Sequence, residues 1–321
     1  MNTPQLTLDQ MLGIRYPLLV APMFLVSDTA MVKAALDAGA TAAIPALNYR
    51  TAEQLSDAIR DIGAYSNKPF GINLIVNRSN PRYKAQLKVV LKDRPDFVIT
   101  SLGNPAEVID KCKPLGIKVF CDVVNLDYAL KVEKLGADAL IAVNNSAGGH
   151  CGQLAAEELM PLLRKHCQIP VILAGGVSLP EHMANARRLG AAGVSAGTVF
   201  IATHESPVSD EYKQALVHFG ADDIVLTSRL SGSQLTVIRT PYFESLGESE
   251  TWLERLYKRQ KWARKYIKMA IFASGMQKIE QAAFKATYKT IWVAGPAIEH
   301  VKSIRPLGEI VHELGEGWFA C

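Results

Sequence analysis

Eight short apolar runs, each followed by a stretch of helical spacing or a loop, occupy residues 17–200. The runs fall at Pro17–Pro22, Ala40–Pro45, Pro69–Leu74, Asp96–Ile99, Ile117–Cys121, Asp138–Val143, Pro170–Ala174 and Gly193–Ala196. Between them, Ser27-Asp28 opens a helical stretch that ends at Gly39. Others follow at Thr51–Ile62, Arg82–Lys92, Asn104–Pro114, Leu126–Leu135, Ala156–His166 and Pro180–Leu189. Strands that are apolar throughout need cover on both faces, and parallel strands receive it from their crossover helices. Leu115-Gly116-Ile117, Leu135-Gly136-Ala137 and Leu189-Gly190-Ala191 each place a glycine just past a helix, where a left-handed cap is needed. Eight such units within about 200 residues predict an α/β fold, a closed TIM (β/α)8 barrel. The open doubly wound sheet is the structural alternative.

The chain has 321 residues, more than the roughly 250 of one barrel. The texture changes after Phe219. The expected division is a barrel over 1–220, a smaller helical substrate or lid domain over 221–291, and a segment over 292–321 that closes the barrel. Thr227–Glu244 reads as loop with a short strand, and Ile298–Leu314 as the last helix. Residues 252–290 hold ten Lys/Arg against two acids, with Trp252, Leu256, Trp262, Tyr266, Met269 and Ile271 as an apolar face. That stretch reads as a helical insertion with a solvated basic face.

The whole chain carries 35 Lys+Arg against 31 Asp+Glu, a net +4 that is too dilute to argue for nucleic acid. A chain 49% hydrophobic and 21% charged is neither disordered nor collagen-like. Five cysteines, odd in number and without a C-x-x-C pair, read as reduced thiols rather than a disulfide framework or zinc site. The N-terminal residues lack the signal-peptide pattern, and the apolar runs are too short to span a bilayer. A cytoplasmic protein is expected, with no membrane or nucleic-acid partner; a homo-oligomer is compatible with the chain.

Barrel active sites lie at strand C-termini, and four places stand out there. Asn144–Gln153 puts Gly148, Gly149 and Gly152 around His150 on a loop after the sixth run. Glycines allow close backbone approach to a ligand, and His150 there suits a general base or a donor over a cofactor. The alternative is a surface histidine in a polar loop. Gly175-Gly176 after the seventh run and Gly197-Thr198 after the eighth match a barrel phosphate site, with backbone N–H groups and the Thr198 hydroxyl as donors. Their alternative role is tight turning alone. Ala21-Pro22-Met23 ends the first run, and Met23 either underlies a flat ring or fills core. Asn73 is a polar side chain in an apolar strand and needs a partner, either a bound heterocycle or the backbone. Asp122 either points into the same mouth or caps the helix near Asn125. Cys151 has nothing nearby that would activate it. The other histidines, His166, His182, His204, His218, His300 and His312, show no ligand spacing, and no metal site is expected.

The "APM" after the first strand, with "SAGGHCG", "LAGGV" and "SAGTVF", resembles the nitronate monooxygenase family over residues 14–204; Ser231–Glu244 also resembles that family. The resemblance implies a TIM barrel holding FMN. Phosphate would lie on Gly175, Gly176, Gly197 and Thr198. Ala21, Pro22, Met23 and Asn73 would line the isoalloxazine, with Asp122 in the same mouth. Ala147, Gly148 and Gly149 would shape the loop beside the flavin. His150 matches the family histidine that removes the α-proton of neutral nitroalkanes. Cys151 stands where many members carry Arg or Pro, and Ser146 where Glu or Cys is common.

The expected function is FMN-dependent oxidation of alkyl nitronates with dioxygen, extending to nitroalkanes, with His150 as base or electrostatic partner. The same motifs resemble flavin-dependent enoyl-acyl-carrier-protein reductases and NADH:quinone reductases. An NAD(P)H-using reductase of an enoyl thioester or quinone is therefore the alternative. A barrel that only binds a phosphorylated ligand is the non-enzymatic reading.

Overall fold

In the computed structural model, residues 5–77, 80–227, 234–245 and 291–320 are described. The apolar runs form eight parallel strands: β1 (Leu18–Val20), β2 (Thr41–Pro45), β3 (Gly71–Ile75), β4 (Phe97–Ser101), β5 (Lys118–Val123), β6 (Ala139–Val143), β7 (Val171–Ala174) and β8 (Gly193–Ala196). Each pairs with the next in sequence order. β8 then pairs with β1 through Leu18↔Val194 and Val20↔Ala196, which closes the barrel and excludes the open sheet.

Side-chain alternation separates two cores. Leu19, Phe97, Ile99, Phe120, Ile141 and Ile172 form one buried cluster, joined by Leu8 from α1 (Leu8–Leu12). Phe97 and Phe120 stack with centroids 5.0 Å apart. Gly71 is needed opposite them, because a Cβ there would occupy the Phe97 ring. The intervening strand residues, such as Leu18, Val20, Ile72, Val98 and Val119, face the helices in the larger cluster.

The helices follow the amphipathic stretches closely: α2 (Thr29–Asp37), α3 (Ala52–Tyr65), α4 (Tyr83–Asp93), α5 (Ala106–Cys112), α6 (Leu126–Lys134), α7 (Ala156–His166) and α8 (Pro180–Arg188). Asp28 caps α2 by accepting from Met31 N at 3.0 Å. Gly116, Gly136 and Gly190 take φ of +75°, +95° and +82°, the left-handed geometry expected of those joints.

After β8 come α9 (Thr198–Ile201) and α10 (Asp210–His218), then an antiparallel hairpin of β9 (Ile224–Thr227) and β10 (Leu235–Ile238), and α11 (Pro241–Ser245). The short strand expected within 227–244 is β10; its partner β9 ends where that stretch begins, and the α11 turn was not expected. Apolar residues on Leu235, Val237 and Ile291 share a small core that stabilises two paired strands. The basic stretch 252–290, and most of the expected 221–291 domain, lies outside the described residues. The last helix, α12, spans Leu307–Phe319 rather than 298–314. Pro306 marks its start, and Pro296–His300 forms a separate 3-10 turn. α12 packs on α8 and α2 and completes the helical ring. Gly315 admits the Tyr16 ring, whose hydroxyl donates to Glu316 at 2.7 Å.

Candidate active site at the barrel mouth

The strand C-termini surround a cavity of about 1200 Å³. All the residues singled out from the sequence line it. Ala21, Pro22 and Met23 come from the β1 end, Asn73 from β3, and Asp122 from β5. Ala147, Gly148, Gly149 and His150 come from the loop after β6. Gly175 and Gly176 follow β7, and Gly197 and Thr198 follow β8. The cavity lining is thus assembled from six strand ends or loops that are remote in sequence.

Backbone ties fix the β1 end. Ala21 N donates to Ala196 O at 2.8 Å. Met23 N donates to the Ser27 hydroxyl oxygen, which donates in turn to Ala21 O, both at 2.9 Å. The Met23 sulfur lies where a Cβ on Gly197 would approach it at 3.3 Å, so that glycine keeps the two segments close.

The loops after β6 and β7 are joined by Asn144. Its Oδ1 accepts from Ser146 N at 2.8 Å, and its Nδ2 donates to Gly175 O at 3.0 Å. Gly175 has φ +111°, and a Cβ there would overlap the Asn144 side chain and stand 2.6 Å from Ala147 N. Gly176 follows at φ +79°. Only glycine suits this stacking of two left-handed residues beneath a second loop. On the other side, β10 holds the β6 loop: Gly149 N donates to Thr236 Oγ1, and Thr236 N donates to Gly149 O, both at 2.9 Å. His150 is half-buried and faces the same cavity.

Asn73 finds the backbone partner weighed for it, and a side-chain one besides. Its Nδ2 donates to Ile99 O at 3.3 Å and to Ser101 Oγ at 2.7 Å, while its Oδ1 accepts nothing among the described residues. Asp122 lies within β5 and does not cap α6; Asn125 does, accepting from Tyr128 N at 2.9 Å. The Asp122 carboxylate instead accepts from the Ser101 hydroxyl. Burial pushes its pKa up to about 6, against the opposing effect of that hydrogen bond. Ser101 escaped the sequence reading, since a serine ending an apolar run carries no motif. Its signal is positional: it is the residue after which β4 opens into the mouth. Cys151 is held above the ordinary thiol pKa by burial, so it is a weak nucleophile. Among the described residues no group of acidic, His and Cys side chains is arranged to hold a metal.

The arrangement suits a flat heterocycle with a phosphate tail. Gly175 and Gly176 at the β7 end and Gly197 and Thr198 at the β8 end line the cavity, and Asn73 presents an unfilled acceptor at the β3 end. No described helix is long and apolar enough to cross a membrane.

The nitronate monooxygenase family model matches residues 76–317. A nitronate monooxygenase from Paraburkholderia phytofirmans is 30% identical, with 72% of this chain and 75% of that one aligned. The (3aS,4S,5R,7aS)-5-hydroxy-7a-methyl-1-oxo-octahydro-1H-indene-4-carboxyl-CoA dehydrogenase of Mycobacterium tuberculosis is 31% identical over 74% of this chain and 67% of that one. The structure of FabK from Thermotoga maritima superposes with a TM-score of 0.85 at 26% identity, covering 97% of this chain and 95% of that one.

Proposed function

The chain belongs to the nitronate monooxygenase family of oxidoreductases, and from that premise we propose that it binds FMN in the barrel mouth and oxidises alkyl nitronates with dioxygen. The observation that carries this reading is the convergence of the β1 end, Asn73, the His150 loop, Gly175-Gly176 and Gly197-Thr198 on one cavity. Gly175, Gly176, Gly197 and Thr198 would hold the phosphate through N–H and O–H donors. Ala21, Pro22 and Met23 would lie against the ring, and Asn73 Oδ1 would accept from a ring N–H. Bound FMN supplies the oxidant for the substrate and the centre at which dioxygen is reduced. His150 takes the α-proton of a neutral nitroalkane onto its ring; a preformed nitronate reaches the same cavity already deprotonated. The β6 loop, pinned to β10 and to Gly175, fixes where that ring sits. Purified protein is expected to be yellow, with the visible spectrum of an oxidised flavin. Oxygen uptake on adding an alkyl nitronate is the direct test. A flavin-loaded protein without such uptake would overturn the substrate assignment.

A second reading has its own support. The mycobacterial relative is named as a dehydrogenase of a carboxyl-CoA compound, and the fold matches FabK along almost the whole chain. Under that reading the protein takes hydride from NAD(P)H and passes it to an enoyl thioester or quinone. Anaerobic mixing with NADH separates the two: rapid bleaching of the flavin favours the reductase, and none favours the oxygenase. A colourless protein that binds phosphorylated ligands would displace both.

A further inference from the structure

The neighbours of Asp122 fix the direction of a hydrogen-bond chain. Asn73 Nδ2 donates to Ile99 O, a carbonyl that can only accept, so the amide orientation is set. The same nitrogen donates to Ser101 Oγ at 2.7 Å. Ser101 then has its own proton to place, and Asp122 Oδ2 is its acceptor. Every donor in the chain points toward Oδ2. Asp122 Oδ1 makes no hydrogen bond among the described residues, and Asp122 is half-buried and lines the cavity. With Ser101 donating to Oδ2, a proton on this carboxyl sits on Oδ1, the oxygen without a partner among the described residues.

We propose that Asp122, as the neutral acid, is a binding residue that donates a hydrogen bond from Oδ1 to an electron-rich oxygen of the group in the barrel mouth. Two sources share that chemistry: a carbonyl oxygen of the flavin, or an oxyanion of the substrate. A carboxylate at the same place would repel either one, so binding weakens as Asp122 ionises. Its pKa near 6 puts that change within reach of ordinary buffers. The titratable and charged groups facing it are few. Cys121 on the same strand and Tyr128 on α6 are both pushed up to about 12. Lys131 on α6, with His150 and Cys151 on the β6 loop, line the same cavity. Asp122→Asn is close to isosteric with the neutral acid: its carbonyl accepts from Ser101, and its N–H faces the mouth at every pH.

The inference rests on the flavin reading of this cavity only for its spectroscopic arm. In that arm, the visible band of the oxidised holoenzyme is followed from pH 5 to pH 8. In the other arm, sodium nitrite, an oxyanion across that range, is titrated into the same protein by calorimetry. Wild type is expected to lose nitrite affinity by at least about tenfold between the two pH values, or to shift its flavin band. The first result assigns the donor to a substrate oxygen and the second to the flavin. Asp122→Asn is expected to remain at the acidic limit throughout. Ser101→Ala, which removes the bond that favours the carboxylate, moves the wild-type midpoint upward. A preparation without flavin absorbance would overturn the flavin reading while the nitrite arm still reports on Asp122. The proposal is overturned if neither signal titrates in wild type, or if Asp122→Asn titrates as wild type does and so assigns the change to another group.

Discussion

The hydroxyl oxygen of Thr198 accepts a hydrogen bond from Gly295 N at 3.0 Å, across 97 residues of chain. A Cβ on Gly148 would stand 2.9 Å from the same oxygen and 3.0 Å from Gly295 N. Three segments thus meet at one atom: the start of α9, the loop that carries His150, and the chain returning after the 246–290 stretch. Thr198 accepts with a lone pair here, which leaves its own proton for the phosphate of the proposed FMN.

Thr198→Val keeps the shape and removes both functions. The buried Gly295 N–H loses its partner, which costs about 1–3 kcal/mol. In a domain of this size each kcal/mol lowers Tm by roughly 2–4 °C. The expected result is a lower Tm together with weaker FMN binding, measured by thermal melts and by flavin retention on desalting. Thr198→Ser should restore both; an unchanged Tm in the valine variant would remove the tie between these segments.

Gly175→Ala tests the phosphate end. The substitution forces a side chain into φ +111° and into the space of Asn144 and Ala147. The two loops must separate, which breaks the Asn144–Gly175 hydrogen bond. A folded protein with the far-ultraviolet signature of the barrel but little bound flavin is expected. Full flavin content, read from the ratio of visible to protein absorbance, would place the phosphate elsewhere.

The barrel was legible because its strands are short, apolar and separated by glycine caps, so pattern and topology agree. Gly116, Gly136 and Gly190 announced left-handed joints, and the structure has them. The hairpin of Ile224–Thr227 and Leu235–Ile238 was not legible as a pair, because its pairing is settled by packing on Ile291, some fifty residues on. The lining of the candidate mouth was legible where it is built from glycine-rich motifs. It was opaque at Ser101 and in the bonding of Asp122, whose partners lie on neighbouring strands and share no local pattern. Sequence spacing offered Asp122 a helix cap; strand register gave that task to Asn125.

His150→Ala separates proton transfer from electron transfer. The variant is expected to retain FMN, since the glycine loops are untouched. Turnover of a neutral nitroalkane should fall by about 10²–10⁴, the usual range for a lost general base. Turnover of the preformed nitronate should change far less. Steady-state oxygen uptake on both forms of one compound measures this. Equal losses on the two would show that His150 serves binding or electrostatics instead of proton removal.

Behind the β7 glycines, His182 and His300 face each other edge to face with centroids 5.3 Å apart. Ser178 joins them: its N–H donates to His182 Nδ1 at 3.3 Å, and its hydroxyl lies 3.0 Å from His300 Nδ1. His182 must be neutral to accept at Nδ1. Burial, followed by the proximity of His300, lowers its pKa below the ordinary value of 6.5, against a smaller opposing effect of Glu181. The unfolded chain therefore binds more protons than the folded one as pH falls below that value. The contribution of this site to stability is intact above pH 6.5 and is lost as pH falls toward the folded pKa. Tm is expected to drop between pH 7.5 and pH 5.5, and His182→Asn is expected to flatten that part of the drop. Melts of both proteins at the two pH values, compared as differences, measure the effect. An identical drop in the variant would mean that acid destabilisation in this range arises from groups other than His182.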